Sequence, residues 1–111
     1  MTTMKRAVDS FTVRIWMAGN YEKAEDICRL FCVKGMCVSI TRMNYIYTGG
    51  EECGFCVTLI NYPRFPKFPD EIMKKALELA ELLKTNLYQQ SFTLESPERT
   101  LFFSDRPEDM R

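Results

Sequence analysis

Cysteine supplies the most conspicuous reactive chemistry in this chain. Cys28 and Cys32 lie one helical turn apart, Cys53 and Cys56 bracket two residues, Cys37 stands apart, and there is no histidine anywhere. Four thiolates could in principle hold zinc tetrahedrally. Cys53 and Cys56, however, fall in a strand-like run where residues three apart point to opposite faces, so ordinary packing cysteines are the simpler reading. The same pair lacks the helix N-terminus that activates a redox thiol. The acids Glu51 and Glu52 follow Gly49-Gly50 at what reads as a hairpin tip, where water solvates them. Without histidine the commonest general base and metal ligand is missing. No phosphate-cradling loop, nucleophile elbow or metal triad is present. These residues favour a non-catalytic protein, with no catalytic residue, metal or cofactor assigned.

A second pattern suits binding. Pro63, Pro66 and Pro69 are spaced by three, as are Tyr62, Phe65 and Phe68, and a polyproline II chain has three residues per turn. In that conformation Tyr62, Phe65 and Phe68 form one stripe, the prolines a second, and Arg64 with Lys67 a third. Aromatics beside cations suit a protein groove or a nucleotide base. The competing reading is a stiff connector whose aromatics pack inward.

The elements that must position these residues follow from periodicity. In Phe11–Met17, Val13, Ile15 and Met17 alternate with Thr12, Arg14 and Trp16, the signature of a strand. Gly19 breaks it, Asn20 caps a helix carrying Ala24, Ile27, Cys28 and Phe31, and Gly35 ends that helix. Residues 36–60 read as a long hairpin, with a possible bulge at 42–44 and Gly49-Gly50 supplying positive φ at the tip. From Pro69 the apolar stripe Ile72, Met73, Ala76, Leu79, Ala80 and Leu83 defines a second helix. Residues 91–96 and 99–104 add one or two strands.

The order is β-α-β-β-α-β, the ferredoxin-like α+β pattern with both helices on one face of an antiparallel sheet and a possible short extra C-terminal strand. The expected organisation is an N-terminal tail over 1–10, a single domain over 11–104 and a fraying charged tail over 105–111. Arg14 and Trp16 would lie on the uncovered face of the central strand, and a large aromatic there calls for a partner. A symmetric homodimer is the expected remedy. The candidate binding residues are therefore Arg14, Trp16, Tyr62, Arg64, Phe65, Lys67 and Phe68.

Composition narrows the setting. Fifteen basic and fifteen acidic residues cancel, so no whole-protein field draws in nucleic acid or an anionic membrane. The N-terminal residues lack the apolar core of a secretory signal, and no apolar run reaches the length of a membrane span. An odd number of cysteines with no export signal points to free thiols in the cytoplasm.

The strand order is similar to that of RNA-recognition modules, and ECGFCVTL (Glu52–Leu59) resembles their longer signature. Cys53 stands where a basic residue is wanted, however, and Val57 where an aromatic is wanted. At IWMAGNYEKA and YTGGEECGF…LINYPRFP the chain resembles small uncharacterised accessory proteins of tailed bacteriophages and prophages, over about residues 11–104. That resemblance implies an accessory role in an infected bacterial cell, commonly the binding of a host or defence protein. The expected function is accordingly a non-catalytic protein-binding module, with a nucleic-acid or nucleotide binder as the alternative.

Overall fold

Val13, Ile15 and Met17 are at most 2% exposed and turn to one side of strand β1 (Thr12–Ala18). That side meets two helices in the computed structural model, which describes residues 1–109. Gly19 takes φ +136°, and the Asn20 side chain accepts the Lys23 N–H at 2.8 Å, starting α1 (Tyr21–Cys32) as a side-chain N-cap does. Then come β2 (Ser39–Tyr47), β3 (Gly50–Ile60), α2 (Pro69–Asn86), β4 (Ser91–Glu95), β5 (Thr100–Ser104) and a short 3-10 turn at Pro107–Asp109. The strands form one sheet in the order β2-β3-β1-β4-β5, every neighbour antiparallel. This is the ferredoxin-like arrangement with an added C-terminal edge strand.

The core combines the inward residues of the sheet with the apolar stripe of α2. Phe55, Val57 and Leu59 of β3 and Leu94 of β4 pack with Ile72, Ala76, Leu79, Ala80 and Leu83. Ile27, Phe31, Val38, Ile40 and Met73 border this cluster but stay partly accessible, because β2 is an edge strand and α1 covers only part of it. The possible bulge at 42–44 is not formed: β2 pairs residue for residue with β3, from Ser39↔Thr58 to Tyr47↔Gly50. Gly49 takes φ +87° at the tip.

A different device relieves the sheet at Gly54. A Cβ there would lie 2.3 Å from the Met17 carbonyl oxygen and 2.6 Å from Tyr45 Cε2, so only glycine fits. The Tyr45 ring occupies that space. Its hydroxyl accepts the Met17 N–H at 3.2 Å and donates to the Phe55 carbonyl at 2.5 Å, tying a β2 side chain into the β1–β3 pair.

The polyproline II reading of the connector does not hold. The Phe65 N–H donates to the Tyr62 carbonyl at 3.1 Å, closing a turn. Phe65, unlike the prolines beside it, has an N–H to satisfy, and a polyproline II helix offers it no internal partner. Both terminal segments are also tied to the body. Arg6 Nη1 donates to the Pro63 carbonyl at 2.7 Å. At the other end Lys84 pairs with Asp105, and the Arg106 Nε–H donates to Gln90 Oε1 at 2.8 Å. The last two residues of the charged segment read as a tail, Met110 and Arg111, lie outside the described residues.

Candidate functional site

A cavity of about 610 Å³ opens where the N-terminal segment crosses the connector and the first turn of α2. Its lining includes Val8, Asp9, Phe11, Asn61, Lys67, Phe68 and Glu71. One side chain sets the spacing of these walls. Asn61 Nδ2 donates to the Asp9 carbonyl at 2.8 Å, and its Oδ1 accepts the Lys67 N–H at 3.0 Å. The backbone continues the clamp, with the Asn61 N–H donating to the Phe11 carbonyl at 3.1 Å. The pocket thus stands at the end of the central β1–β3 pair, where Thr12 faces Ile60.

Its chemistry is a mixture of apolar wall and open charge. Phe68 is 77% exposed at the N-cap of α2, a large aromatic held in water at the rim. Glu71 Oε1 accepts the Phe68 N–H at 3.4 Å, and Glu71 lines the cavity. Among the described residues neither Asp9, Glu71 nor Lys67 is in an ion pair. A volume of this order is within the range of small-molecule pockets, about 300–1,000 Å³. Apolar faces with unpaired carboxylates suit a flat heterocycle carrying positive charge.

The residues singled out in the sequence divide between two places. Lys67 and Phe68 line the cavity. Tyr62 and Phe65 lie just outside it, their ring centroids 5.6 Å apart, with the Lys67 amino group 5.7 Å from the Phe65 centroid. Arg64 is exposed, and its carbonyl accepts from Arg6 Nη1 at 3.4 Å. Arg14 and Trp16 are on the face of the sheet away from the helices. There the Trp16 indole N–H donates to Glu95 Oε1 at 3.0 Å, and an Arg14 guanidinium nitrogen is 3.9 Å from the same oxygen. Trp16 borders a smaller hollow of about 350 Å³ with Tyr45, Glu52 and Phe102. Asp9, Asn61 and Glu71 were missed. The first lies in a segment that reads as a tail, and the other two carry no spacing signal of their own.

Three of the five thiols are poorly suited to nucleophilic work. Burial pushes Cys28 up to about 12, with the neighbouring Cys32 adding to it. Burial also raises Cys32 and Cys56, so all three resist forming the thiolate that chemistry would need. Tyr62 is raised to about 12, first by burial and then by Cys37 beside it. Among the described residues no group of three or more Cys, Asp or Glu side chains is placed to hold a metal ion, and no helix is long and apolar enough to cross a membrane.

The fold is a ferredoxin-like α+β domain with a cavity of about 610 Å³ at one end of the sheet. Comparison with protein-family models and with curated protein sequences finds no match. Among solved structures the chain is similar to a phage SAM lyase in its apo state, at TM-score 0.69 and 16% identity, covering 95% of this chain and 98% of that one. It is also similar to a phage SAM lyase in complex with S-methyl-5'-thioadenosine, at TM-score 0.63 and 14% identity, covering 94% and 96% of the two chains. Both neighbours are phage proteins, so the expected resemblance to phage proteins is supported at the level of the fold. The expectation of a non-catalytic protein-binding module, with nucleic-acid binding as alternative, is corrected: these neighbours are an enzyme. It was inferred from missing acid–base machinery, and that inference presumed a reaction needing such machinery.

Proposed function

We propose that this chain is a phage-encoded lyase that cleaves S-adenosylmethionine and releases S-methyl-5'-thioadenosine, with the cavity at Asn61 and Glu71 as its site. The observation that carries the reading is the likeness to a phage SAM lyase over at least 94% of both chains. The cavity adds support of its own, since its size, aromatic rim and unpaired carboxylates suit an adenosyl group bearing a sulfonium. Phe68 offers a ring face to the adenine, and Glu71 a counter-charge to the sulfur.

Cleavage returns the electron pair of the carbon–sulfur bond to sulfur, so the sulfonium becomes a neutral thioether. The amino-acid fragment completes its own valence, by giving up a proton from the adjacent carbon to Glu71 or by ring closure through its own carboxylate. Charge is lost on the way to the transition state, so an apolar, water-poor wall such as Val8 and Phe11 favours the reaction over the same event in water. Consumption of S-adenosylmethionine in an infected cell would starve methyl transfer, an accessory role in the host cytoplasm.

The test is direct. Purified protein is incubated with S-adenosylmethionine, and S-methyl-5'-thioadenosine is quantified by liquid chromatography against a protein-free control. Release well above the spontaneous rate, reduced at least about tenfold (~1.4 kcal/mol) in Glu71→Gln, is the expected result. Release no faster than the control, together with no binding of S-methyl-5'-thioadenosine at millimolar concentration, overturns the reading.

A further inference from the structure

Three of the five cysteines meet at one place. Cys28 and Cys32 of α1 and Cys37 after it line an open hollow of about 310 Å³, beside Met36, Val38 and Ile40, and all three are free thiols. A chain reversal brings Cys37 back to the helix. The Gly35 and Met36 N–H groups both donate to the Cys32 carbonyl, at 3.0 and 3.4 Å, and Gly35 takes φ +100° to allow it. The Val38 N–H is then directed at the Cys32 sulfur. That nitrogen is bonded to the carbonyl carbon of Cys37, so the Cys32 sulfur stands beside the Cys37 backbone.

The three thiols are not equivalent. Cys28 is 4% exposed, whereas Cys32 and Cys37 are half-buried and border the hollow. Cys28 and Cys32 also lie one turn apart on a regular helix, which sets their Cβ atoms about 5–6 Å apart, beyond the roughly 3.5–4.5 Å that a disulfide spans. Cys37 is under no such constraint, because the segment between Gly35 and β2 is irregular. Tyr62 faces the Cys37 sulfur from the connector. Burial, and then Cys37, raises that phenol to about 12, so its hydroxyl keeps its proton and can donate to negative charge on the sulfur.

We propose that Cys32 and Cys37 form a thiol–disulfide exchange site for a small-molecule disulfide, with Cys37 as the attacking thiol and Cys32 as the resolving one. In the first step the Cys37 thiolate bonds to one sulfur of the small disulfide, whose S–S bond breaks and whose other sulfur leaves as a thiolate. In the second the Cys32 thiolate bonds to the Cys37 sulfur and expels the remaining small thiol. The protein loses two electrons and two protons in all, and the small disulfide becomes two thiols. Burial makes Cys32 a poor thiolate toward reagents in solution, so it acts where proximity favours it, on the sulfur beside it. The product ties the last residue of α1 to the segment entering β2. Neither thiol lines the cavity at Asn61, so the exchange is independent of the reaction proposed there.

Mass spectrometry tests the assignment. Fully reduced protein is incubated with oxidised glutathione, quenched in acid, alkylated and digested, and the state of each cysteine is read from its peptide. Wild type should yield an intramolecular Cys32–Cys37 bond. Cys32→Ser should instead hold glutathione on Cys37, at a level at least about tenfold above wild type, because the resolving thiol is gone. Cys37→Ser should give neither product. Circular dichroism equal to wild type reports that both variants are folded, and should either lose its fold, the wild-type product alone decides. Wild type in which Cys32 and Cys37 stay reduced, whatever happens at the exposed Cys53, overturns the proposal. So does a bond between any other pair, or equal glutathione on Cys37 in wild type and folded Cys32→Ser.

Discussion

Replacement of Asn61 by alanine tests whether the cavity is held open by one side chain. The substitution removes two hydrogen bonds, Nδ2–H to the Asp9 carbonyl at 2.8 Å and Oδ1 from the Lys67 N–H at 3.0 Å. A typical bond contributes about 0.5–1.5 kcal/mol net. The first of these is exposed and falls at the low end, and the second is partly buried, so the sum is about 1–2 kcal/mol. With a urea dependence of about 2 kcal/mol per molar, the middle of the usual range, the unfolding midpoint should drop by roughly 0.5–1 M. The effect on the site should be larger in kind: without the clamp the N-terminal segment and the connector separate, and S-methyl-5'-thioadenosine should bind at least about tenfold more weakly. Asn61→Asp keeps the acceptor for Lys67 and loses the donor to Asp9, so it should retain part of the stability and little of the binding. Urea titration followed by fluorescence of the single tryptophan, with calorimetry for the ligand, checks both. An Asn61→Ala protein with unchanged midpoint and unchanged affinity would refute the idea that Asn61 sets the spacing of the walls.

Two further outcomes follow from the sheet and the buried thiols. Gly54→Ala should cost about 3 kcal/mol or prevent folding, because the new methyl would stand 2.3 Å from backbone oxygen and the Tyr45 hydroxyl bridge would have to break; a urea midpoint equal to wild type would sink that account. Stability should also fall at alkaline pH. Burial raises Cys28 from 9.0 to about 12 and Tyr45 from 10.0 to about 12. The folded state thus holds these protons more tightly than the unfolded chain does. Their contribution is complete below about pH 9 and is lost as pH rises towards about 12. Cys28→Ala should be less stable at neutral pH yet show a shallower alkaline decline, and a decline as steep as wild type would assign the loss to other groups.

The fold was legible because its signals are periodic. The alternation at Val13, Ile15 and Met17 and the stripe from Ile72 to Leu83 each repeat enough times to fix a face, and those faces are the buried ones. The core residues Phe92 and Leu94 sit in a five-residue strand, too short for alternation alone to mark its buried face. The connector failed for a different reason. Spacing by three matches polyproline II geometry, but it says nothing of the Phe65 N–H, which finds its bond by closing a turn on Tyr62. The site was least legible of all. Its clamp joins Asn61 to Asp9, 52 positions away, and no local pattern announces a contact of that range.

The wrong functional expectation has a chemical origin. Histidine is absent, and an active site without it looks poorly equipped for reactions in which a leaving group must be protonated. A sulfonium needs no such help. Its leaving group is already activated by its own charge and departs as a neutral thioether, so for the reaction proposed above no general acid is required. What the protein must supply is position, a counter-charge that binds the cation, and walls that keep water from competing. Glu71, Phe68 and the apolar side of the N-terminal segment are side chains of that kind. None is a catalytic motif, and all of them occur in ordinary proteins for ordinary reasons. Recognition of such a site therefore depends on where the fold brings these residues together, and in the proposed reading that place is the end of the β1–β3 pair, where Asn61 bonds to two separate segments beside one cavity.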